Sequence, residues 1–169
     1  ILWISLLGGM GGTYFYTKAL SYVGYIDLSI VVLLQKLQPV FAMSLAAIIL
    51  KEKLSKKYIL LAFLAIIGGY LVTFGKNSVS NWDDNTLIAA LLALLAAFCW
   101  GSSTAIAKKA LVSLHYSAVT GLRLAVTTLI SLIIIIIFNF NILNADISLN
   151  QWVIIIIIVL SSGTFALFI

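Results

Sequence analysis

Full charges set inside apolar runs are the residues best placed to do chemistry in this chain. Lys36 lies between Gln35 and Gln38 in VLLQKLQPVF (32–41), ahead of Pro39, the chain's one proline. Lys18 closes GGTYFYTK (11–18), and Arg123 sits in TGLRLAV (120–126). An ammonium or guanidinium in such surroundings attracts a carboxylate or phosphate, and glutamine amides orient a ligand by hydrogen bonds. Covalent chemistry has less support. Cys99 has no base near it in sequence, and a lone cysteine excludes a disulfide framework or zinc cluster within these residues. His115 falls in a short connection and reads as a solvated loop residue. No metal motif, phosphate loop or Ser/His/Asp order appears, so no cofactor is implied and an enzyme is not expected.

The surroundings of those charges are extreme. Hydrophobic residues make up 63% of the chain and charged residues 9%, against roughly 25% charged in a soluble domain. No soluble fold of 169 residues hides that much apolar side chain, so the composition gives an integral membrane protein. The net charge of +5 is not a nucleic-acid footprint, because four of the ten basic residues cluster in KEKLSKK (51–57) between two apolar spans.

A spanning helix needs about 20 apolar residues. Segments near 2–22, 28–50, 58–76, 87–108, 117–138 and 151–169 qualify, giving an all-α protein with six visible transmembrane helices. The isoleucine runs at 133–137 and 154–158 are poor helix formers in water, but lipid forces the backbone to satisfy itself. Lys51, Lys53, Lys56 and Lys57 anchor one loop, and Lys108 and Lys109 the loop two spans later. The alternate connections carry Asp27, Lys76 with Asp83 and Asp84, and Asp146. Positive residues favour the cytoplasm, so loops 51–57 and 108–116 are expected there, in a multi-pass protein of the cytoplasmic membrane. Trp82 and Trp152 fall at the expected outer edges.

On that topology Lys36 lies about 12 Å below the outer end of its helix. Its polar half-face, with Gln35, Gln38 and Pro39, reads as cavity lining beside a helix break, since proline removes a backbone donor. Snorkelling to the interface is the alternative. Lys18 shares a stripe with Gly11, Tyr14, Tyr22 and Tyr25, and serves either that cavity or an outer-interface anchor. Arg123 has Thr120, Thr127 and Ser131 on its side of the helix, and also lies within snorkelling reach of the cytoplasm. Trp100 is too deep for an interfacial belt and reads as a cavity wall. GSST (101–104), GGMGG (8–12) and Gly68–Gly69 read as helix packing, where small residues allow close approach.

The polar break GKNSVSNWDDNT (75–86) divides the chain into units at 1–76 and 87–169 joined by a linker at 77–86, and GGTYFYTKAL (11–20) echoes SGTFALFI (162–169). The chain starts and stops inside apolar runs and reads as the middle of a longer protein.

Segment order resembles the EamA-type transporters of the drug/metabolite transporter superfamily. YTKALSYV (16–23), LQPVF (37–41), ILKEKLSKKYILLAFLAIIGGYLV (49–72), LLAAFCWGSSTAIAKKAL (94–111) and TGLRLAV (120–126) carry the resemblance. It implies ten helices in two inverted five-helix repeats, of which this chain holds the third to the eighth. Inverted repeats place a substrate site near the midplane and work by alternating access. The resemblance therefore implies a secondary carrier of a small metabolite such as an amino acid or organic anion. Lys36, Gln35, Gln38, Lys18, Tyr14, Trp100 and Arg123 are the expected cavity residues, and Lys36→Ala is expected to abolish uptake. An exporter of cationic drugs and a non-transporting scaffold are the alternatives. The partners are a small-molecule substrate and the bilayer, with a homodimer compatible and nucleic acid excluded.

Overall fold

The computed structural model describes residues 1–22, 24, 28–74, 84–138 and 148–160, and every regular element among them is helical. The chain opens with α1 (Leu2–Ile4), passes through a π-helical segment (Ser5–Gly11) and continues as α2 (Gly12–Leu20). Right-handed helical dihedrals at Ser5, Gly11 and Gly12 make these pieces one unbroken rod. Glycine-rich SLLGGMG suits the wide turn, because missing Cβ atoms relieve crowding and backbone stiffness together.

The second span is divided. It consists of α3 (Leu28–Gln35) and α4 (Gln38–Leu50), with Lys36 and Leu37 in a turn between them. Pro39 sits in the first turn of α4, where its missing N–H and fixed φ are tolerated. The Lys36 and Leu37 amides bond to Leu33 and Leu34, three residues back, so the chain tightens before it restarts. The helix break expected at Pro39 falls at Lys36–Leu37, between Gln35 and Gln38.

Four further helices follow: α5 (Lys56–Phe74), α6 (Asp84–Ala110), α7 (Tyr116–Ile137) and α8 (Leu149–Ile158). The DNT end of the expected linker is the first turn of α6, where the Asp84 carboxylate complements the helix dipole. Ser148 and Gln151 close a reciprocal capping box at the start of α8. Among the described residues three stretches are long and apolar enough to cross a membrane by length and composition: Ile30–Leu50, Asp84–Ala110 and Tyr116–Ile137. The expected assignments at Tyr25, Asp27, Lys76, Trp82, Asp83 and Asp146, and the echo at 162–169, lie outside the described residues.

Helix α6 is the axis of the packing. It touches the first rod, α3 and α4, while α7 leans on the π segment and α5 on α3. Its sequence explains this position, since Ala89, Ala93, Ala96, Ala97, Gly101 and Ser103 are all buried. Between apolar helices in lipid no hydrophobic driving force remains, so close van der Waals contact and interhelical hydrogen bonds decide association. Small side chains on α6 supply both. By contrast Leu60, Leu61, Phe63 and Leu64 on α5 are exposed, as are Ile133 and Ile136 on α7, and they suit lipid.

The glycine readings divide. A Cβ on Gly8 would overlap the Ser103 hydroxyl, and one on Gly12 would stand 2.5 Å from Trp100 Nε1, so both glycines permit close packing. Gly68, read from sequence as a contact glycine, faces open space instead, while a Cβ on Gly69 would reach ordinary contact with Leu37. A Gly–Gly pair allows a close neighbour without supplying one.

At one end of the bundle Glu52 pairs with Lys108 at 2.7 Å, both exposed. This contact places the 51–55 connection beside the C-terminal end of α6. Lys51 takes a left-handed conformation (φ 55°) that terminates α4.

Candidate functional site

The π segment and Ile4 just before it have outside hydrogen-bond partners on two helices. From α6, Trp100 Nε1 donates to the Gly8 carbonyl at 2.9 Å and Ser103 Oγ donates to the Ile4 carbonyl at 3.0 Å. In return Ser5 Oγ donates to the Arg123 carbonyl of α7 at 3.1 Å. Ser5 and Ser103 are both buried, so these bonds form where water cannot compete. A π-helical turn costs good backbone geometry and is found most often at functional sites.

Beside this pinned segment lies a cavity of about 590 Å³. Gly8, Gly9 and Thr13 form its wall on the first rod, Trp100 its wall on α6, and Thr120, Arg123 and Thr127 the polar part of its wall on α7. The spacing of the α7 residues is helical, so one face presents a guanidinium between two hydroxyls. Arg123 is half-buried, and the one ion pair among the described residues is Glu52–Lys108, so none of the described carboxylates neutralises it. The Trp100 indole also meets the Tyr16 ring, with centroids 5.5 Å apart. The cavity thus offers a planar apolar wall, a five-donor cation and hydroxyls that can donate or accept.

A second cavity of about 670 Å³ adjoins it toward the other end of the first rod. The two share Gly9 and Thr13, and the second adds Tyr14, Thr17, Ser131 and Phe138. Tyr14, expected as a wall, occupies this neighbouring space, exposed and edge-on to Phe15.

The other residues singled out from sequence are elsewhere. Lys36 is exposed in a separate cleft of about 300 Å³ with Leu33, Leu37, Ala65, Gly68 and Gly69. Gln35 and Gln38 are half-buried, and the Gln38 carbonyl packs on Gly101 of α6. Lys18 is exposed, its ammonium 5.9 Å from the Tyr22 ring centroid. Trp100 and Arg123 are therefore brought together, while Lys36 and Lys18 stand apart from them. Cys99 is buried and unpaired, and His115 is exposed against the Ser117 hydroxyl. Ser103 belongs to GSST, which the sequence reads as helix packing, and it bonds across helices accordingly. Ser5 was not foreseen; its one sequence signal is a hydroxyl beside a glycine cluster, and nothing local names the partner.

Trp100→Phe is expected to weaken ligand binding roughly three- to tenfold, since the ring stays while the Gly8 carbonyl loses a partner. Titration of the purified full-length variant measures it.

Apolar helices around a ligand-sized cavity with a half-buried arginine in its wall define a helical membrane protein with an internal polar site. The chain belongs to the EamA-like transporter family, which it matches over residues 1–74 and 87–169. It is also similar to the riboflavin transporter ImpX of Fusobacterium nucleatum subsp. nucleatum (strain ATCC 23726 / VPI 4351). Identity is 44% over 135 residues, covering 78% of this chain and 44% of the relative, so the chain spans less than half of that protein's length. No solved structure matches the chain significantly.

Proposed function

We propose that this chain is part of a secondary carrier that moves a small organic solute across the cytoplasmic membrane by alternating access. The observation that carries the reading is the cavity between the π segment, Trp100 and Arg123. At about 590 Å³ it falls within the range of roughly 300–1,000 Å³ that holds a drug-sized molecule. Its polar groups are few and convergent, as an orienting site requires.

The substrate class is a planar, carbonyl-bearing heterocycle, and riboflavin is its first member to test. Two things support this: the similarity to a protein named as a riboflavin transporter, and the chemistry of the walls. The Trp100 indole suits the face of a fused ring, and the Arg123 guanidinium suits ring carbonyls at its edge. Arg123, without a carboxylate partner among the described residues, also favours a second reading, an organic anion, whose carboxylate would take a bidentate pair.

The proposed architecture is two inverted repeats, with the third to eighth of ten helices present here and loops 51–57 and 108–116 in the cytoplasm. The paired family matches, the joining of those loops by Glu52–Lys108, and the lysine pattern support it. Uptake into proteoliposomes by the full-length protein tests the function, against riboflavin, amino acids, organic anions and sugar phosphates. Saturable riboflavin uptake that excess organic anion leaves unchanged is the expected result. Anion uptake without riboflavin uptake selects the second reading, and uptake of nothing in the panel removes both.

A further inference from the structure

The two cavities beside the first rod differ in chemistry. The first holds the Arg123 guanidinium and the hydroxyls of Thr13 and Thr120, which carry no hydrogen bond among the described residues. Thr127 adds shape alone there, because its Oγ1 is shielded from solvent and a Cβ on Gly9 would stand 2.5 Å from it. The second cavity is walled mainly by Met10, Tyr14, Ile134 and Phe138. The Thr17 hydroxyl in that wall is already committed, donating to the Thr13 carbonyl at 2.7 Å, and Ser131 adds one more hydroxyl. Gly9 and Thr13 line both spaces, so a ligand lying along the rod meets a donor-rich end and an apolar end.

We infer that the two cavities form one polarised site for an amphipathic fused ring, whose carbonyl edge faces Arg123 and Thr120 and whose alkyl-substituted end lies against Ile134 and Phe138. The inference rests on the carrier reading above and adds to it the direction in which the ring lies. A flavin ring matches this polarity, with carbonyls at one end and methyl groups at the other. Arg123 and Thr120 are one helical turn apart on α7, so adjacent acceptors on one ligand edge satisfy both. At the far end each methyl that leaves water for the apolar walls adds severalfold to affinity. The reverse orientation would set the guanidinium and the hydroxyls against methyl groups, and buried donors without partners are costly.

Riboflavin and its 7,8-didemethyl analogue, which lacks only the ring methyls, test this by quenching of flavin fluorescence on the purified full-length protein. Wild type is expected to bind the analogue roughly tenfold more weakly. I134A thins the apolar wall, and should weaken riboflavin by about three- to tenfold while narrowing the gap between the flavins to within about threefold. T120V keeps the branched shape and loses the donor. It should weaken both flavins by the same factor, about three- to fivefold, and leave the gap as it was. Equal wild-type affinity for the two flavins overturns the inference. So does an I134A variant that lowers both equally, in which case the second cavity faces lipid or another helix. A gap that closes in T120V and persists in I134A reverses the ring and overturns it as well. A wild-type protein that binds neither flavin removes the flavin reading and the inference with it, so wild type alone tells the two failures apart.

Discussion

Replacing Arg123 by glutamine is expected to lower the affinity of the full-length protein for riboflavin by roughly 10- to 100-fold. The size follows from what the guanidinium does in this cavity. It is half-buried, lies against Gly8, and has no carboxylate partner among the described residues. A cation held in an apolar setting without a counter-charge is costly, and proteins keep one where a ligand or an ordered polar group repays the cost. Glutamine keeps some hydrogen-bonding capacity but is shorter and loses the charge and the fixed fork of donors. The backbone role of residue 123 survives the change, because Ser5 bonds to its carbonyl. A fold defect is thereby separated from a binding defect.

The second large effect is on stability. Gly101→Ala is expected to destabilise the protein by about 1–3 kcal/mol, the usual cost of overpacking. A Cβ there would stand 2.7 Å from Phe41 Cβ, 2.9 Å from the Ala42 nitrogen and 2.9 Å from the Gln38 carbonyl oxygen. Two of those atoms are backbone, so no side-chain rotation relieves the clash and α4 itself must move. Gly68→Ala is the control. Nothing lies within 4 Å of its Cβ position, and alanine is the better helix former by about 1 kcal/mol. Detergent melting temperatures should fall for the first variant and hold or rise for the second. Equal falls in both would show that α4 and α6 are not in backbone contact.

Much of this was legible in the sequence because lipid makes helices obligatory. Long apolar runs gave the helices, three of which among the described residues are long and apolar enough to cross a membrane, and Glu52–Lys108 joins the KEKLSKK connection to the lysine end of α6. The cavity face of α7 was legible too, since Thr120, Arg123 and Thr127 repeat at helical spacing. Trp100 was visible as a bulky ring too deep for the interface. What escaped notice depends on contacts remote in sequence. The π segment leaves no signature beyond its glycines, and its hydrogen bonds to α6 and α7 span about a hundred residues. Lys36 looked most conspicuous because a single helical wheel was drawn through the break expected at Pro39. The turn at Lys36–Leu37 breaks that register and puts its side chain in the cleft beside α5, while Gln38 packs on α6. Position on a helical wheel is informative only while the helix lasts.

The central claim is that the substrate sits between the π segment, Trp100 and Arg123, and the most direct measurement compares riboflavin binding by wild-type, R123Q and K36A proteins at full length. The account expects R123Q to lose at least about tenfold in affinity and K36A to remain within about threefold of wild type. Binding abolished in K36A and intact in R123Q would contradict it, and would move the site to the cleft between the broken second span and α5.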